Sequence, residues 1–568
     1  MLLRVRRSLF LVLLGCPVHL AFSQGGVGIN NPAPHASALL DLTSTNKGLL
    51  MPRMTTAQRT AIASPATGLL VFDSSLNAFY YFDGAAWVPL ASAANGWSTT
   101  GNAGTNIAAH FVGTTDNVPF SFRVNNIPSG RIDNVKENVS LGSRAGSALT
   151  TGSRNVALGD SAGVVMSTGF ENTLVGDNSG RGMLDAAWNT FLGSKAGEGF
   201  TGGTDNVYVG AWAGRLATGP GIFGNTFVGS VAGYTGASSG SSTFIGSSAG
   251  GYTTTGQFNT FVGAGCGLNN TTGSFNTFTG TISGLFNMNG NQNTIYGYQA
   301  GQFNVSGNDN TFMGYLAGRA TMSSSNTFIG SWSGQANTSG ADNTFLGTAS
   351  GQNSAAGTDN VLLGRAAGFS LTGDQNTVGG SRAGFNSTSG DNNTFYGYHA
   401  GYNNATGSNN TYIGWGAGTV ANLTNATAIG YSAAVSSSNS LVLGGTGANA
   451  VKVGIGVTAP LAELEVNGYT MLGANAPAIK MLKLTGTTPA TQGAGVNIPH
   501  GLVGSKILSV TVLVEYAPGN WLPHGYTAFA GNEFYFTVNT TNVGVYNAVG
   551  NSANILGKAC KILITYEQ

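Results

Sequence analysis

"NTFVGAGCGLNNTTGSF", residues 259–275, is followed at once by "NTFTG", residues 276–280, so the chain restarts the same phrase after 17 residues. With the Gly that closes each phrase as an anchor, the register runs from Gly142 to Gly414. It includes 17 anchors, and 13 of the 16 intervals are 17 residues long. A short fixed period of this kind is the signature of a solenoid, in which each repeat is one coil that buries its apolar side only against its neighbours. The spacing predicts an all-β, parallel β-solenoid of about 17 coils between residues 135 and 450.

Positions within the repeat assign the parts of a coil. Four residues after every anchor stands another Gly, from Gly146 to Gly418, preceded by Ala, Ser or, once, Cys266. Such a column reads as a tight corner needing positive φ or close approach between coils. A Gly seven residues before the anchor, in "TGS" and "SGD" phrases, reads as a second corner. Asn stands four before it in all 17 coils except at Ser242, where it can build a hydrogen-bonded ladder. Between Asn and anchor lies a short strand with Thr or Val at minus three, Phe or Tyr at minus two in 11 coils, and mostly Val, Leu or Ile at minus one. Both faces of that strand suit burial. One coil has one interior, so the other face calls for a cover, and the economical cover is another copy of the chain. Stacked at about 4.8 Å per coil, the repeats predict a rod of roughly 80 Å.

The composition agrees with this reading and excludes others. Gly makes up 89 of 568 residues and charged residues only 8%, yet 41% are hydrophobic, which argues for a packed core over disorder. The net charge of +1, with no basic run past the first residues, gives no sign of a nucleic-acid partner. "MLLRVRR", "SLFLVLLG" and "AFS" before Gln24 have the order of a signal peptide over residues 1–23. The alternative is lipoprotein processing at Cys16. No later stretch has the length of a membrane helix. The remaining cysteines, Cys266 and Cys560, do not form a disulfide framework.

"NVSLGSRAG", "NVALGDSAG" and "ATAIGYSAAVSSSNSLVLGG" resemble the YadA-like head repeats of trimeric autotransporter adhesins, over roughly residues 135–445. The resemblance implies a left-handed parallel β-roll, three chains around one axis, and binding to extracellular matrix or other surfaces. In that family the minus-three and minus-one side chains fill the coil and minus two, usually Ala, faces the trimer axis. Here minus two is usually Phe, which leaves the inner face open.

Residues 24–95 read as an adaptor with a short helix over "TTAQRTAIAS" and a hairpin over "GLLVFDSSLNAFYYFDGAAWVPL"; residues 96–134 read as a connector. "VGIGVTAPLAELEV", within an adaptor at 451–470, repeats the opening phrase, with Val453 seven residues ahead of Pro460 as Val27 is of Pro34. These phrases, with "GNAGTNIAAHFVGTTDNVPFSFRVNN", resemble Bacteroidetes-type fibre proteins and phage tail fibres. From 471 to 568 the alternation in "KILSVTVLVEY", "NEFYFTVN" and "CKILITY" predicts an antiparallel β-sandwich tip. No heptads precede it and the chain closes on Glu567 and Gln568, so it does not resemble the adhesins' membrane anchor.

Catalytic residues are not expected. Acidic residues of the rod stand singly beside turns, as at Asp205 and Asp359, whereas glycoside hydrolysis needs a carboxylate pair at a set separation. The nine-residue Asp beat of calcium-binding rolls is missing. His500 and His524, each in "PHG", raise a metal site that three-fold symmetry could complete, but turns are the plainer reading, and neither metal nor cofactor is expected. Cys266 fits a packing role. Tyr516, Trp521, His524 and Tyr526, in "YAPGNWLPHGYT", are the candidate binding residues, since aromatics on a Pro- and Gly-rich loop suit glycan or protein recognition. A packed Trp521 is the structural alternative. The Thr column invites comparison with ice-binding surfaces, but it is a single rank. The expectation is an exported homotrimeric fibre at the cell surface, an adhesin with the rod as spacer and the tip as binder. A structural fibre without ligand is the alternative, and a tailspike-like hydrolase a more distant one.

Overall fold

The computed structural model describes residues 26–90, 101, 103–106, 110–219, 222–236, 240–418 and 420–568. The signal-peptide residues 1–23 and Cys16 lie outside them, as do parts of the adaptor and connector. The chain divides into two compact units at residues 115 and 116.

The first unit opens with a two-stranded parallel sheet, Val27–Ile29 against Leu40–Leu42, and continues into a four-stranded sheet that ends in the expected hairpin. The helix spans Thr56–Thr60, shorter than its sequence suggested; Thr55 caps it, accepting from the Gln58 amide while the Gln58 side chain accepts from the Thr55 amide. Its Arg59 is buried, 2.8 Å from Asp73 and 3.9 Å above the Tyr80 ring centroid. Burial alone would raise the Asp73 pKa, but hydrogen bonds from Arg59, Thr56, Leu76 and Ser75 hold it below the usual carboxylate range.

In the second unit, strands from Asn138–Leu141 to Leu441–Leu443 pair in parallel, each with the next, 19 in all. Two coils, ending at Ile429 and Leu443, thus extend the 17 read from the anchors. Register is strict: Thr260 pairs with Thr243 and Thr277, and Phe261 with Phe244 and Phe278. Part of the stretch read as a connector is a hairpin, Phe120–Val124 with Ile127–Asp133, whose second strand runs antiparallel to Asn138–Leu141. It covers the open edge of the first coil, as a solenoid cap must.

The inner face is minus two, the reverse of the adhesin-head arrangement. Phe261 is fully buried, its ring centroid 4.9 Å from that of Phe244 and 4.8 Å from that of Phe278, with planes within 12°. The far corner explains why. A Cβ on Gly267 would lie 2.6 Å from the Phe261 ring, and the backbone there holds φ at 56°, so the invariant Gly both makes the turn and leaves room for the aromatic. Where minus two shrinks to Ala428 the corner residue becomes Ala434, although the coil with Ala157 at minus two keeps Gly163. The anchor glycines stack by a different contact: a Cβ on Gly263 would meet the Gly280 carbonyl oxygen at 2.5 Å.

The Asn column forms the expected ladder. Asn293 donates through its backbone N–H to Asn276 Oδ1 at 3.0 Å and through its amide to the same oxygen at 3.1 Å; Asn276 Nδ2 donates to the second-corner carbonyl of Gly290 at 2.8 Å. These bonds satisfy buried backbone groups that no strand reaches. A further inward column, seven residues past the anchor, was not read from the sequence. It is apolar in the early coils (Met166, Met183, Phe200) and polar later, where Asn287 Nδ2 donates to Asn270 Oδ1 at 2.9 Å.

The C-terminal sandwich has a five-stranded and a three-stranded antiparallel sheet. Strands Ile507–Ala517, Phe534–Val538 and Ala559–Glu567 are the ones read from the sequence. Val512, Val514, Val543, Val545, Ile562 and Ile564 fill the space between the sheets.

Candidate binding surfaces

The four aromatic candidates sit on a hairpin and its continuation, more regular than the loop expected. Strand Asn520–Pro523 folds back on Ile507–Ala517 through Pro518 and Gly519, and Glu515 Oε1 accepts the Gly519 N–H at 2.9 Å. Trp521 lies half-buried on this edge strand with Lys561 Nζ 3.7 Å from its ring centroid. His524 is exposed and meets Phe536 edge-on at 4.8 Å. Tyr516 and Tyr526 are partly buried against the sandwich core. Tyr516, Phe529, Ala530, Asn532 and Asn554 line a pocket of about 420 Å³, and Tyr526 reaches its rim through Phe529, 5.8 Å away. Asn532 Oδ1 lies buried beside it with no hydrogen-bond partner, and Phe529 is 54% exposed. One of the four candidates, Tyr516, therefore lines this concavity and Tyr526 packs beside Phe529, while Trp521 and His524 contact other groups. Phe529 and Asn532 were missed because the sequence places them after the aromatic cluster, in a stretch with no repeat to mark them.

His500 is structural. Its Nδ1 accepts the Leu502 N–H at 3.0 Å and its Nε2 donates to the Asn539 carbonyl at 3.0 Å, which fixes the tautomer and ties a turn to the neighbouring sheet. Cys266 is wholly buried, and burial pushes its thiol pKa up to about 12, which suppresses the thiolate.

Along the rod the outward side chains are mostly Thr at minus three and mostly Val, Leu or Ile at minus one, interrupted at Thr279 and Gly379: Leu192, Ile245, Leu346 and Ile413 are all about two-fifths exposed. A largely apolar column repeated over so many coils marks an interaction surface. Near the end of the solenoid, Tyr398, Trp415 and Tyr431 form a second exposed column, with ring centroids 6.1 and 4.9 Å apart and planes within 17°. Rings stacked on one another turn their edges outward, so this column offers little open aromatic face for a sugar ring.

Residues 28–106 match the family described as a phage tail-like trimerisation region. Comparison with curated proteins and with solved structures gave no match. A trimerisation region joined to a β-solenoid rod fits a trimeric fibre. No helix among the described residues is long and apolar enough to cross a membrane, and none of their His, Cys, Asp and Glu side chains gather in groups of three that could hold a metal ion.

Proposed function

We propose that the chain is an exported, homotrimeric β-solenoid fibre that acts as a surface adhesin, with the rod as spacer and the C-terminal sandwich as binder of a glycan or a surface protein. The observation that carries this reading is the trimerisation match on a chain whose rod leaves an outward column of mostly Thr and aliphatic side chains uncovered. Three copies would close that face, a role for which Phe at minus two is too deeply buried. The pocket of Tyr516, Phe529 and Asn532 supports a binding role for the tip, since it joins aromatic surface to a buried, unpartnered polar atom. No catalytic step is assigned.

The test is binding of the purified full chain to a glycan array and to immobilised matrix proteins, repeated with Phe529→Ala and Tyr516→Ala. Binding that both substitutions weaken at least tenfold, with mass unchanged, supports the adhesin. Binding to neither array contradicts it. Binding untouched by the substitutions removes the pocket from the account. A ligand-free structural fibre is the second reading, favoured by Lys561 over Trp521 and by the partial burial of Tyr516 and Tyr526 against the core.

A further inference from the structure

Residues 453–466, which follow the rod in sequence, reproduce the backbone of the opening module. Val27–Ile29 pairs in parallel with Leu40–Leu42, and Val453–Ile455 pairs in parallel with Leu464–Val466, each as a sheet of only two strands. Both first strands end on a left-handed residue, Asn30 at φ 58° and Gly456 at φ 70°. In both, a carboxylate at the centre of the second strand accepts the N–H that follows a proline: Asp41 from His35 at 2.8 Å, Glu465 from Leu461 at 2.6 Å. The exit bond is also shared, Thr43 N–H to the Ile29 carbonyl at 3.1 Å and Asn467 N–H to the Ile455 carbonyl at 2.8 Å. The central glycines are equally cramped, since a Cβ on Gly28 would fall 1.9 Å from the Asn31 carbonyl oxygen and one on Gly454 2.3 Å from that of Val457.

Neither pair covers its own apolar side chains. Ile29 and Leu40 are 53% and 48% exposed, Ile455 and Leu464 57% and 61%. Two strands of three residues have no independent stability, so such a unit needs a partner surface. The first copy, apart from Val27, lies within the match to a trimerisation region, which begins at residue 28 and ends at 106; the second lies wholly outside it.

We propose that residues 453–466 are a second inter-chain clamp, in which the aliphatic face of each pair closes on the same pair in the other copies of this chain, holding the rod in register on both sides. The proposal rests on the trimeric reading and adds a site to it. In the full chain, Leu464→Cys and, separately, Leu40→Cys are treated with a short bis-maleimide, and the mass of each is measured by light scattering. The chain without either substitution is the background control, with Cys16→Ser in every chain and with Cys266 and Cys560 buried. The expected result is a trimeric mass with covalent multimers from both variants. A trimeric mass with multimers at position 40 but not at 464 overturns the second clamp and leaves the trimer standing. A monomeric mass without multimers overturns both. Because both leucines are solvent-exposed within one chain, neither substitution disturbs its fold. As an independent readout, Ile455→Asp with Leu464→Asp is expected to open residues 453–466 to protease at least tenfold while the mass stays trimeric; unchanged resistance speaks against the clamp.

Discussion

Replacing Asn276 by Ala tests whether the Asn ladder holds the rod together. The substitution removes the acceptor for the Asn293 N–H and one donor to the Gly290 carbonyl, both of which are buried. The Asn293 side chain keeps its bond to the Gly307 carbonyl at 2.8 Å and the Gly290 carbonyl keeps Asn287 Nδ2 as a donor at 2.9 Å, so one backbone group, the Asn293 N–H, is orphaned. Such an orphan costs about 1–3 kcal/mol at one coil. The chain contains its own control. At Ser242 the hydroxyl oxygen accepts the Asn259 N–H at 3.2 Å, while the Ser242 N–H still donates to Asn225 Oδ1 at 3.0 Å. Asn276→Ser should therefore leave neither backbone group orphaned and cost about 1 kcal/mol or less. Solenoid stability is carried by neighbouring coils, so the effect should be local. In hydrogen–deuterium exchange, amide protection around residues 276–293 is expected to fall by at least about fivefold for the Ala variant and by clearly less for the Ser variant, while distant coils change little. Equal loss in the two variants, or full protection in the Ala variant, would refute the reasoning that the ladder works by satisfying buried backbone groups.

Gly267→Ala should cost roughly 2–5 kcal/mol from a left-handed Ala and its clash with the Phe261 ring. Combined with Phe261→Ala, it should cost less than the sum of the two, as the Ala428 and Ala434 coil suggests; strict additivity in denaturant unfolding would contradict the shared-space argument. Cys266 should resist alkylation at pH 8.5 in the folded chain. Its pKa lies above the ordinary 9.0, so its contribution is complete below pH 9 and lost as the pH rises toward about 12. Cys266→Ala should thus flatten the alkaline fall of the melting temperature, and an unchanged slope counts against it. Asp73 is shifted the other way, so its contribution is present above its ordinary value and lost as the pH falls through the lowered one. Asp73→Asn strands the Arg59 guanidinium, and Trp87 fluorescence should report loosening of the first unit at neutral pH; an unaltered spectrum would remove the ion pair from the account.

The sequence made the coil legible because the same backbone demand recurs in every repeat: Gly at two corners, Asn at the turn and a three-residue strand are visible as columns. It left open which face is inside, because that depends on a contact across the coil, Phe261 against Gly267, that no local periodicity contains. The resemblance to adhesin heads could not decide it either, since in those heads Ala occupies the position that Phe takes here. The inward column through Met166, Phe200 and Asn270 was hidden by its change of chemistry along the rod. The capping hairpin at 120–133 was hidden because it pairs with the first coil without sharing its pattern. At the tip, Tyr516 and Tyr526 were found as aromatics in a turn-rich stretch, but their meeting with Phe529 and Asn532 depends on the sandwich bringing separate strands together.

The mass of residues 24–568 in solution, by light scattering with analytical ultracentrifugation, tests the central claim most directly. A trimeric fibre predicts three times the mass of one such chain and the frictional ratio of an elongated particle. A species of one chain mass would mean that the outward Thr and aliphatic column of the rod stays open to water, and would contradict the trimeric fibre.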